Sequence, residues 1–250
     1  MMTDAPEKRL NELALRCAHS GRTQFTKFLE PSAEAAARAA ANRAGVQLAL
    51  WGGYEEAERR VAAFYDLEPP EPEAYPLTAL RIQWNAKFAN PGHRDLLGAL
   101  MGLGIDRETT GDIAMGTWKG EGCAYLFALE EMADYIAANF ESAGRASVRV
   151  TAQAEPPELL PPEGETLRLT VQQARLDAVV AAACRLSRSE GQRLITAGLV
   201  KLNHVPCLRT DARVDEGDML SVRGYGRAKV VGFMGESRRG RQVLAVFKYK

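Results

Sequence analysis

The sequence predicts an α+β fold built from three modules. Two short proline-rich runs, Pro69 to Pro76 and Glu155 to Glu165, divide the chain into three segments. Proline lacks an amide donor and disfavours helix in the residue before it, so each run is predicted to be a semi-rigid linker. A chain of 250 residues also exceeds a single typical domain. We therefore expect modules at 1-68, 77-154 and 166-250.

The first module is predicted to be a small α/β unit. Apolar residues from Leu10 to Cys17 recur at helical spacing, and an alanine-rich run between Pro31 and Gly45 predicts a second helix. Residues 46-51, VQLALW, predict a strand that ends at a glycine pair. Residues 54-65 combine charged and apolar positions at helical spacing, which predicts an amphipathic helix.

The middle module shows the order βαββαβ, which is the ferredoxin-like arrangement. This arrangement includes the RNA-recognition fold and folds with many other functions. An RNA-recognition motif stacks bases on aromatic residues of its strands, and the third strand here offers Tyr125 and Phe127 beside Glu121. We expect both rings to belong to core or half-buried strand residues and not to a base-stacking surface. The strands are predicted at 78-84, 111-117, 122-128 and 145-151, and the helices from His93 and over 129-140.

The third module is predicted to be a pair of short helices that leads into a sheet. Apolar residues from Leu176 to Ala183 share one face of the first helix. Ser187 and Glu190 form an S-x-x-E capping box that opens the second helix, and Gly198 is suited to end it. Two strands follow, LVKLN after Gly198 and MLSVRG from Met219.

Charge is distributed unevenly along the chain. Basic and acidic residues balance at 32 each. Residues 168-250 carry 16 basic and 7 acidic residues, a net of +9, which leaves 16 against 25, a net of −9, for residues 1-167. Because phosphate contacts supply most sequence-independent affinity for nucleic acid, the basic segment indicates a polyanionic partner. Composition alone leaves a solvated basic surface as an equal alternative.

Ten polar and basic residues of the third module are candidates for RNA binding. Guanidinium groups donate paired hydrogen bonds to phosphate, and we expect both helix N-termini to add amides that point at an anion. Asp177 is acidic within this basic group and is expected to hold an arginine, without a catalytic role. The candidates are Arg175, Arg185, Ser187, Arg188, Ser189, Arg193, Lys201, Asn203, Arg223 and Arg227.

The same segment resembles a known RNA-binding domain. The run RLDAVVAAACRLSRSEGQRLITAGLVKLN from Arg175, followed by GDMLSVRGYGR from Gly217, is similar to the S-four domain of a small-subunit ribosomal protein, some pseudouridine synthases and a heat-shock ribosome-binding protein. The likeness lies in the opening RLD, in LSRS, in GLVKLN and in the final GD with its basic strand. It implies that the third module is an S-four-type RNA-binding domain.

Motifs along the rest of the chain resemble a single family. TKFLEP at Thr26, GGYEEAERR at Gly52, HRDLLGALMGLGIDRETTGDI at His93 and VRGYGR at Val222 are together similar to the bacterial and plastid YlmH family. Its members combine an N-terminal region, a middle domain assigned to RNA binding and a C-terminal S-four domain. The resemblance implies binding to ribosomal RNA of the large subunit, together with tRNA. It also implies a part in translation and ribosome quality control, in which stalled subunits that carry a nascent chain are handled.

The sequence shows no motif for catalysis or for metal binding. The four cysteines stand far apart, without a histidine at ligand spacing, so neither a zinc site nor a disulfide framework is indicated. HRDL at His93 is not a kinase catalytic loop, because Leu100 stands where that loop needs asparagine. We expect no metal and no small-molecule cofactor, and predict that the chain is not an enzyme.

Two other functions remain open. S-four domains often accompany pseudouridine synthase or methyltransferase domains, although residues 1-167 show no glycine-rich cofactor loop after a strand and little room for a synthase domain. A protein-only adaptor, for example in cell division, would bind its partner without RNA. The sequence has no secretory signal and no run of about 20 apolar residues. We therefore expect a cytoplasmic protein with no membrane partner.

Overall fold

The computed structural model of the chain describes residues 5–153 and 157–249. These residues form two compact units that divide between Leu160 and Pro161, inside the second proline-rich run. Residues 155 and 156, with which that run begins, lie outside the described residues. Each unit has a hydrophobic core of its own.

The first unit begins with a three-stranded sheet that carries two helices. Its elements are α1 (Ala5–Ser20), β1 (Gln24–Leu29), α2 (Glu34–Ala44), β2 (Gln47–Trp51) and β3 (Arg60–Tyr65). The strand order is β1-β3-β2 and both pairs are antiparallel. Apolar residues of α1 and α2 form a core with Ala62 and Phe64 of the central strand. The predicted helices at both positions, and the strand β2, are confirmed.

The predicted helix over 54-65 is wrong, because this segment supplies the central strand of the sheet. Turns and bends occupy its first half, and β3 follows. Val61 and Ala63 pack on one side of the sheet, Ala62 and Phe64 on the other, and all four are fully buried. A strand covered on both faces shows no alternation of polar and apolar residues, so hydrophobic periodicity cannot separate it from a buried helix.

A six-stranded antiparallel sheet forms the middle of the first unit. Its elements are β4 (Leu77–Trp84), α3 (His93–Gly102), β5 (Thr110–Trp118), β6 (Glu121–Leu129), α4 (Glu130–Asn139), β7 (Ser142–Ala143), β8 (Ala146–Gln153) and β9 (Glu158–Leu159). The strand order is β7-β8-β4-β6-β5-β9. Without the short edge strands β7 and β9, the order is β8-β4-β6-β5. These are the fourth, first, third and second strands of the βαββαβ unit. The predicted ferredoxin-like arrangement is confirmed. Helices α3 and α4 cover one face.

The other face of this middle sheet packs against the sheet β1-β3-β2. Tyr125 and Phe127 of β6 share one apolar cluster with Phe28 and Val61, and none of these four is more than 2% exposed. Tyr75, from the first proline-rich run, belongs to the same cluster and is also buried. The first unit therefore consists of four layers, in the order helices, sheet, sheet, helices.

The second unit is one antiparallel sheet with two helices on one face. Its elements are β10 (Gly164–Val171), α5 (Leu176–Cys184), α6 (Arg188–Thr196), β11 (Val200–Leu202), β12 (Val205–Pro206), β13 (Met219–Val222), β14 (Gly226–Glu236) and β15 (Gln242–Tyr249). The strand order is β10-β15-β14-β13-β11-β12. Both helices pack on the face that carries Val200, Leu220, Val230 and Val246. The two helices and the strands β11 and β13 confirm the prediction for this module.

Candidate nucleic-acid interface

Helix α6 begins at the predicted capping box. Ser187 Oγ accepts a hydrogen bond from the Glu190 amide at 3.3 Å, and Glu190 Oε2 accepts one from the Ser187 amide at 2.9 Å. The Ser187 hydroxyl also lies 2.7 Å from Glu190 Oε2 and 3.1 Å from the Ser189 hydroxyl. These hydrogen bonds from Ser187 lower the pKa of Glu190. The hydroxyl of Ser187 is thus engaged in capping the start of α6.

A buried carboxylate holds two of the predicted arginines. Asp177 is 0% exposed. Arg188 Nε donates to Asp177 Oδ2 at 3.0 Å, Gln192 Nε2 donates to the same oxygen at 2.9 Å, and Arg175 Nε lies 3.4 Å from Asp177 Oδ1. Burial raises the pKa of Asp177, but the hydrogen bonds from Arg188 and Gln192 and the arginine charges outweigh it, so the pKa lies below its ordinary value. The prediction that Asp177 holds an arginine is confirmed.

The amides at the start of α5 are already bonded within the protein, so the predicted anion site there is wrong. The Leu176 amide donates to the Ala212 carbonyl at 2.8 Å, and the Asp177 amide donates to the Thr210 carbonyl at 3.0 Å. The segment before β13 therefore supplies the oxygens that a phosphate would otherwise provide. Helix N-termini bind anions only where their amides lack another acceptor.

Arg185 and Arg193 are exposed cations on the helices. Arg185 ends α5 in the left-handed conformation, with φ 56° and ψ 45°, and Arg193 lies in the last turn of α6. Neither side chain has an ion pair or hydrogen bond to another residue in the part of the chain that the structure describes. Together with Arg175 and Arg188 they form a group that we call the helix arginines.

Lys201 and Arg227 lie on a different face from the helix arginines. Lys201 stands between two core residues of β11, and Arg227 precedes Ala228, which is in the core beneath the helices. Side chains alternate along a strand, so both residues point away from α5 and α6. Lys201 pairs with Ser221, and Ser221 pairs with Arg227, which places all three in one row. We call this side the outer sheet face. The structure thus separates Lys201 and Arg227 from the candidates on the helices.

Asn203 forms a tight turn with His204. Their φ angles of 50° and 68° give a two-residue hairpin between β11 and β12, as asparagine favours. Asn203 Nδ2 donates to Asp218 Oδ1 at 2.7 Å, and its Oδ1 accepts a hydrogen bond from the Met219 amide at 2.9 Å. Both ends of this amide are therefore used inside the domain. Arg223 follows β13 in an exposed turn.

The stacking face of an RNA-recognition motif is closed in the middle sheet. Tyr125 and Phe127 are each 1% exposed, which confirms that they belong to the core. The ring of Tyr54 stacks on Phe127 with centroids 5.0 Å apart. A Cβ atom at Gly53, where φ is +98°, would lie 2.1 Å from the Phe127 ring, so the chain turns directly over it. Bases cannot reach this face without displacing the first sheet.

The described ranges, 5–153 and 157–249, contain no group of three or more His, Cys, Asp or Glu residues placed to hold a metal ion. The four cysteines are free thiols, and two of them are buried. Within the same ranges, no helix is both long enough and apolar enough to cross a membrane.

Comparison with known proteins gives matches along most of the chain. A family model described as "Putative RNA-binding domain in YlmH" matches residues 70–155, and a model of the S4 domain, the S-four domain above, matches residues 174–220. The protein of Bacillus subtilis (strain 168) named "Ribosome-associated protein quality control protein P2" is 36% identical over 220 residues, which cover 87% of this chain and 84% of that protein. The chain belongs to the YlmH family. A solved structure, "Cell division protein ylmH from Streptococcus pneumoniae", has a TM-score of 0.46 at 19% identity, over 61% of this chain and 94% of that one.

The two family models correspond to different parts of this YlmH family member. The RNA-binding domain model spans strands β4 to β8 of the middle sheet with α3 and α4, and β9 lies outside it. The S-four model spans both helices of the second unit and the hairpin β11-β12, and it ends within β13. Strands β10, β14 and β15 lie outside it. In the second unit, the S-four segment is therefore completed by three strands that the model does not include.

Proposed function

We propose that this chain is a non-catalytic, cytoplasmic RNA-binding protein that binds structured ribosomal RNA of the large subunit together with tRNA. The observation that carries the proposal is the group of helix arginines on the S-four domain. Asp177 holds Arg188 and Arg175, yet 55% and 36% of these side chains remain exposed. Each guanidinium has five N–H donors, so one that bonds to Asp177 keeps others for phosphate.

Within this function we propose a part in translation, in the handling of stalled ribosomal subunits. The Bacillus subtilis relative bears a name that places it in ribosome-associated protein quality control. The match to that relative extends over most of both chains, so it includes the first unit as well as the S-four domain. This extent supports a shared role for the whole chain and not only a shared RNA-binding domain.

The charge distribution supports RNA contact mainly through the second unit. Residues 168–250 carry a net charge of +9, whereas residues 1–167 carry −9. An acidic surface repels the phosphate backbone, while a basic one gains affinity by releasing counterions from it. We propose that the first unit contacts RNA through few arginines or contacts basic ribosomal proteins.

The test is sedimentation of the tagged protein with ribosomal fractions from its own host, followed by sequencing of crosslinked RNA. We expect co-migration with large subunits and crosslinks in their ribosomal RNA and in tRNA. Arg193→Glu should weaken both. Arg16→Glu, the same change at an exposed arginine of α1, serves as the matched control and should behave as the wild type.

Other outcomes would favour the other functions. Migration only in the free fraction, without crosslinks, would contradict the proposal and favour a protein-only adaptor. New modified nucleotides in ribosomal RNA after incubation with the purified protein would contradict its non-catalytic character and favour an RNA-modifying enzyme.

A further inference from the structure

The outer sheet face of the second unit combines basic and aromatic side chains. Lys229 pairs with Met219 on one side and with Phe247 on the other, and Phe247 pairs with Thr166 of β10. This row lies beside the row of Lys201, Ser221 and Arg227. Three strand spacings separate β11 from β15, or about 14 Å at the usual distance of about 4.8 Å between strands. An extended polyanion could contact more than one cation over that distance.

Two aromatic rings lie beside these cations. The centroids of Phe247 and Tyr249 are 5.0 Å apart with their planes at 86°, and the Arg227 guanidinium lies 5.2 Å from the centre of the Tyr249 ring. The Phe247 ring packs over Gly164, where a Cβ atom would approach it to 2.5 Å. Both rings are half-buried, so each keeps part of its surface for another group.

The charge of this face is predominantly positive. Arg168 of β10 follows core-facing Leu167 and precedes core-facing Leu169, so it lies on the outer side with Lys201, Arg227 and Lys229. One acidic side chain, Glu216, has its carboxylate beside Gly232 of β14. Proteins that bind single-stranded nucleic acid combine basic residues, which contact phosphates, with aromatic rings, which stack with bases.

We propose that the outer sheet face binds a single-stranded RNA segment, separately from the structured RNA at the helix arginines. Lys201, Arg227, Lys229 and Arg168 contact phosphates, and a base stacks at Phe247 and Tyr249. This inference rests on the proposed function, because it supplies a second RNA surface on the same domain. Three of the strands that build the face, β10, β14 and β15, lie outside the S-four match, so the surface extends beyond the matched segment.

The test compares two pairs of neutral substitutions in the full chain. Lys201→Gln with Lys229→Gln removes two charges from the outer sheet face, and Arg185→Gln with Arg193→Gln removes two from the helices. Affinity is measured over a range of salt for a single-stranded oligouridine of about 12 nucleotides and for an RNA hairpin. The lysine pair should weaken oligouridine binding on the order of tenfold and reduce its salt slope by roughly 0.7 for each lost contact. The arginine pair should mainly weaken hairpin binding.

Ultraviolet crosslinking of the wild-type protein to oligouridine gives a readout that does not depend on the variants folding. We expect the crosslinked peptide to include Phe247 and Tyr249, and Phe247→Leu to reduce its yield. Unchanged oligouridine binding by the lysine pair, or crosslinks confined to α5 and α6, would overturn this inference. Weaker hairpin binding by the arginine pair would still support the proposed function. If the wild type binds neither RNA, the proposed function is contradicted, and this inference with it.

Discussion

Asp177 is a single residue on which the arrangement of the basic helices depends. Its carboxylate accepts hydrogen bonds from Arg188 and Gln192 and lies 3.4 Å from Arg175. Removing one member of such a group leaves the others with unpaired charge or unused donors. The arginines are therefore positioned by Asp177, and Asp177 stays ionised because of the arginines.

We expect Asp177→Asn to lower the free energy of unfolding by about 1 to 3 kcal/mol at neutral pH. The folded pKa of Asp177 lies below its ordinary value of 3.8. The stabilisation is therefore complete above that value and is lost as pH falls through the lower folded pKa. Chemical denaturation of both proteins across acidic and neutral pH should show a difference that shrinks only at the acidic end. A difference that stays constant across the whole range would contradict this assignment.

The two arginines of α6 should respond differently to charge reversal. Arg188→Glu places a second carboxylate beside Asp177, so we expect it to reduce both stability and RNA affinity. Arg193 holds no buried carboxylate and only lowers the pKa of exposed Glu190, so Arg193→Glu should cost less stability than Arg188→Glu. It should still reduce RNA affinity and lower the salt slope by roughly one for each lost phosphate contact. Thermal melts and binding isotherms at several salt concentrations separate the two effects. Equal affinity of the wild type and both variants would show that the RNA surface lies elsewhere.

Some residues of this site could be assigned from sequence and others could not. The capping box of Ser187 and Glu190 and the role of Asp177 follow from local spacing and charge, and both are confirmed. Gln192 was missed, although it stands four residues after Arg188 and hence on the same side of α6. Lys201 lies on a different surface from the helix arginines because α5 and α6 cover the opposite face of the sheet. The positions of basic residues in the sequence do not show which face the helices cover.

At the scale of secondary structure, burial explains which elements were predicted. Helices exposed on one side keep their periodicity, and α1, α2, α3 and α4 all lie close to their predicted positions. Strand β3 was mistaken for a helix because both its faces are buried. Strands β14 and β15 were not predicted, since β14 is interrupted by glycines and its pairing with β15 contains two irregularities.

We expect Phe127→Ala to lower the free energy of unfolding by about 3 to 5 kcal/mol, because it removes a buried ring between two sheets. RNA affinity of the folded variant should equal that of the wild type, since this ring does not reach solvent. Phe88→Ala provides the matched control, because the Phe88 side chain is 86% exposed. Urea denaturation and oligonucleotide binding measure the two quantities. A selective loss of RNA binding in Phe127→Ala would show that the middle sheet opens to bind bases.

At the scale of the whole molecule, two sequence motifs meet at the junction between the sheets of the first unit. Asp112, from the motif at His93, accepts hydrogen bonds from the Glu58 amide at 2.6 Å and the Tyr54 hydroxyl at 3.1 Å. Arg59 is 6% exposed and donates to the Thr110 carbonyl at 3.0 Å. Residues of GGYEEAERR and of RETTGDI thus bond to each other, which gives both motifs a structural role.

We expect Arg59→Met to destabilise the first unit and to leave the second unit unchanged. Burial and the charge of Arg107 lower the pKa of Arg59 to about 10, so the group is still charged at neutral pH and its carbonyl partners would lose a donor. Differential scanning calorimetry should show two transitions, of which one moves to lower temperature, by an amount equivalent to about 1 to 3 kcal/mol. Arg38→Met, at an exposed arginine of α2, should move neither. A shift of both transitions would mean that the units unfold together.

The covered face of the middle sheet has a consequence for anyone who works with pieces of this protein. A fragment cut at the limits of the matched family model, residues 70–155, would lack the sheet that covers Tyr125 and Phe127. Those rings would then be open to water, to neighbouring copies of the fragment and to nucleobases. Such a fragment would be prone to aggregate. Any RNA binding through these rings would result from the truncation and would not be a property of the intact chain.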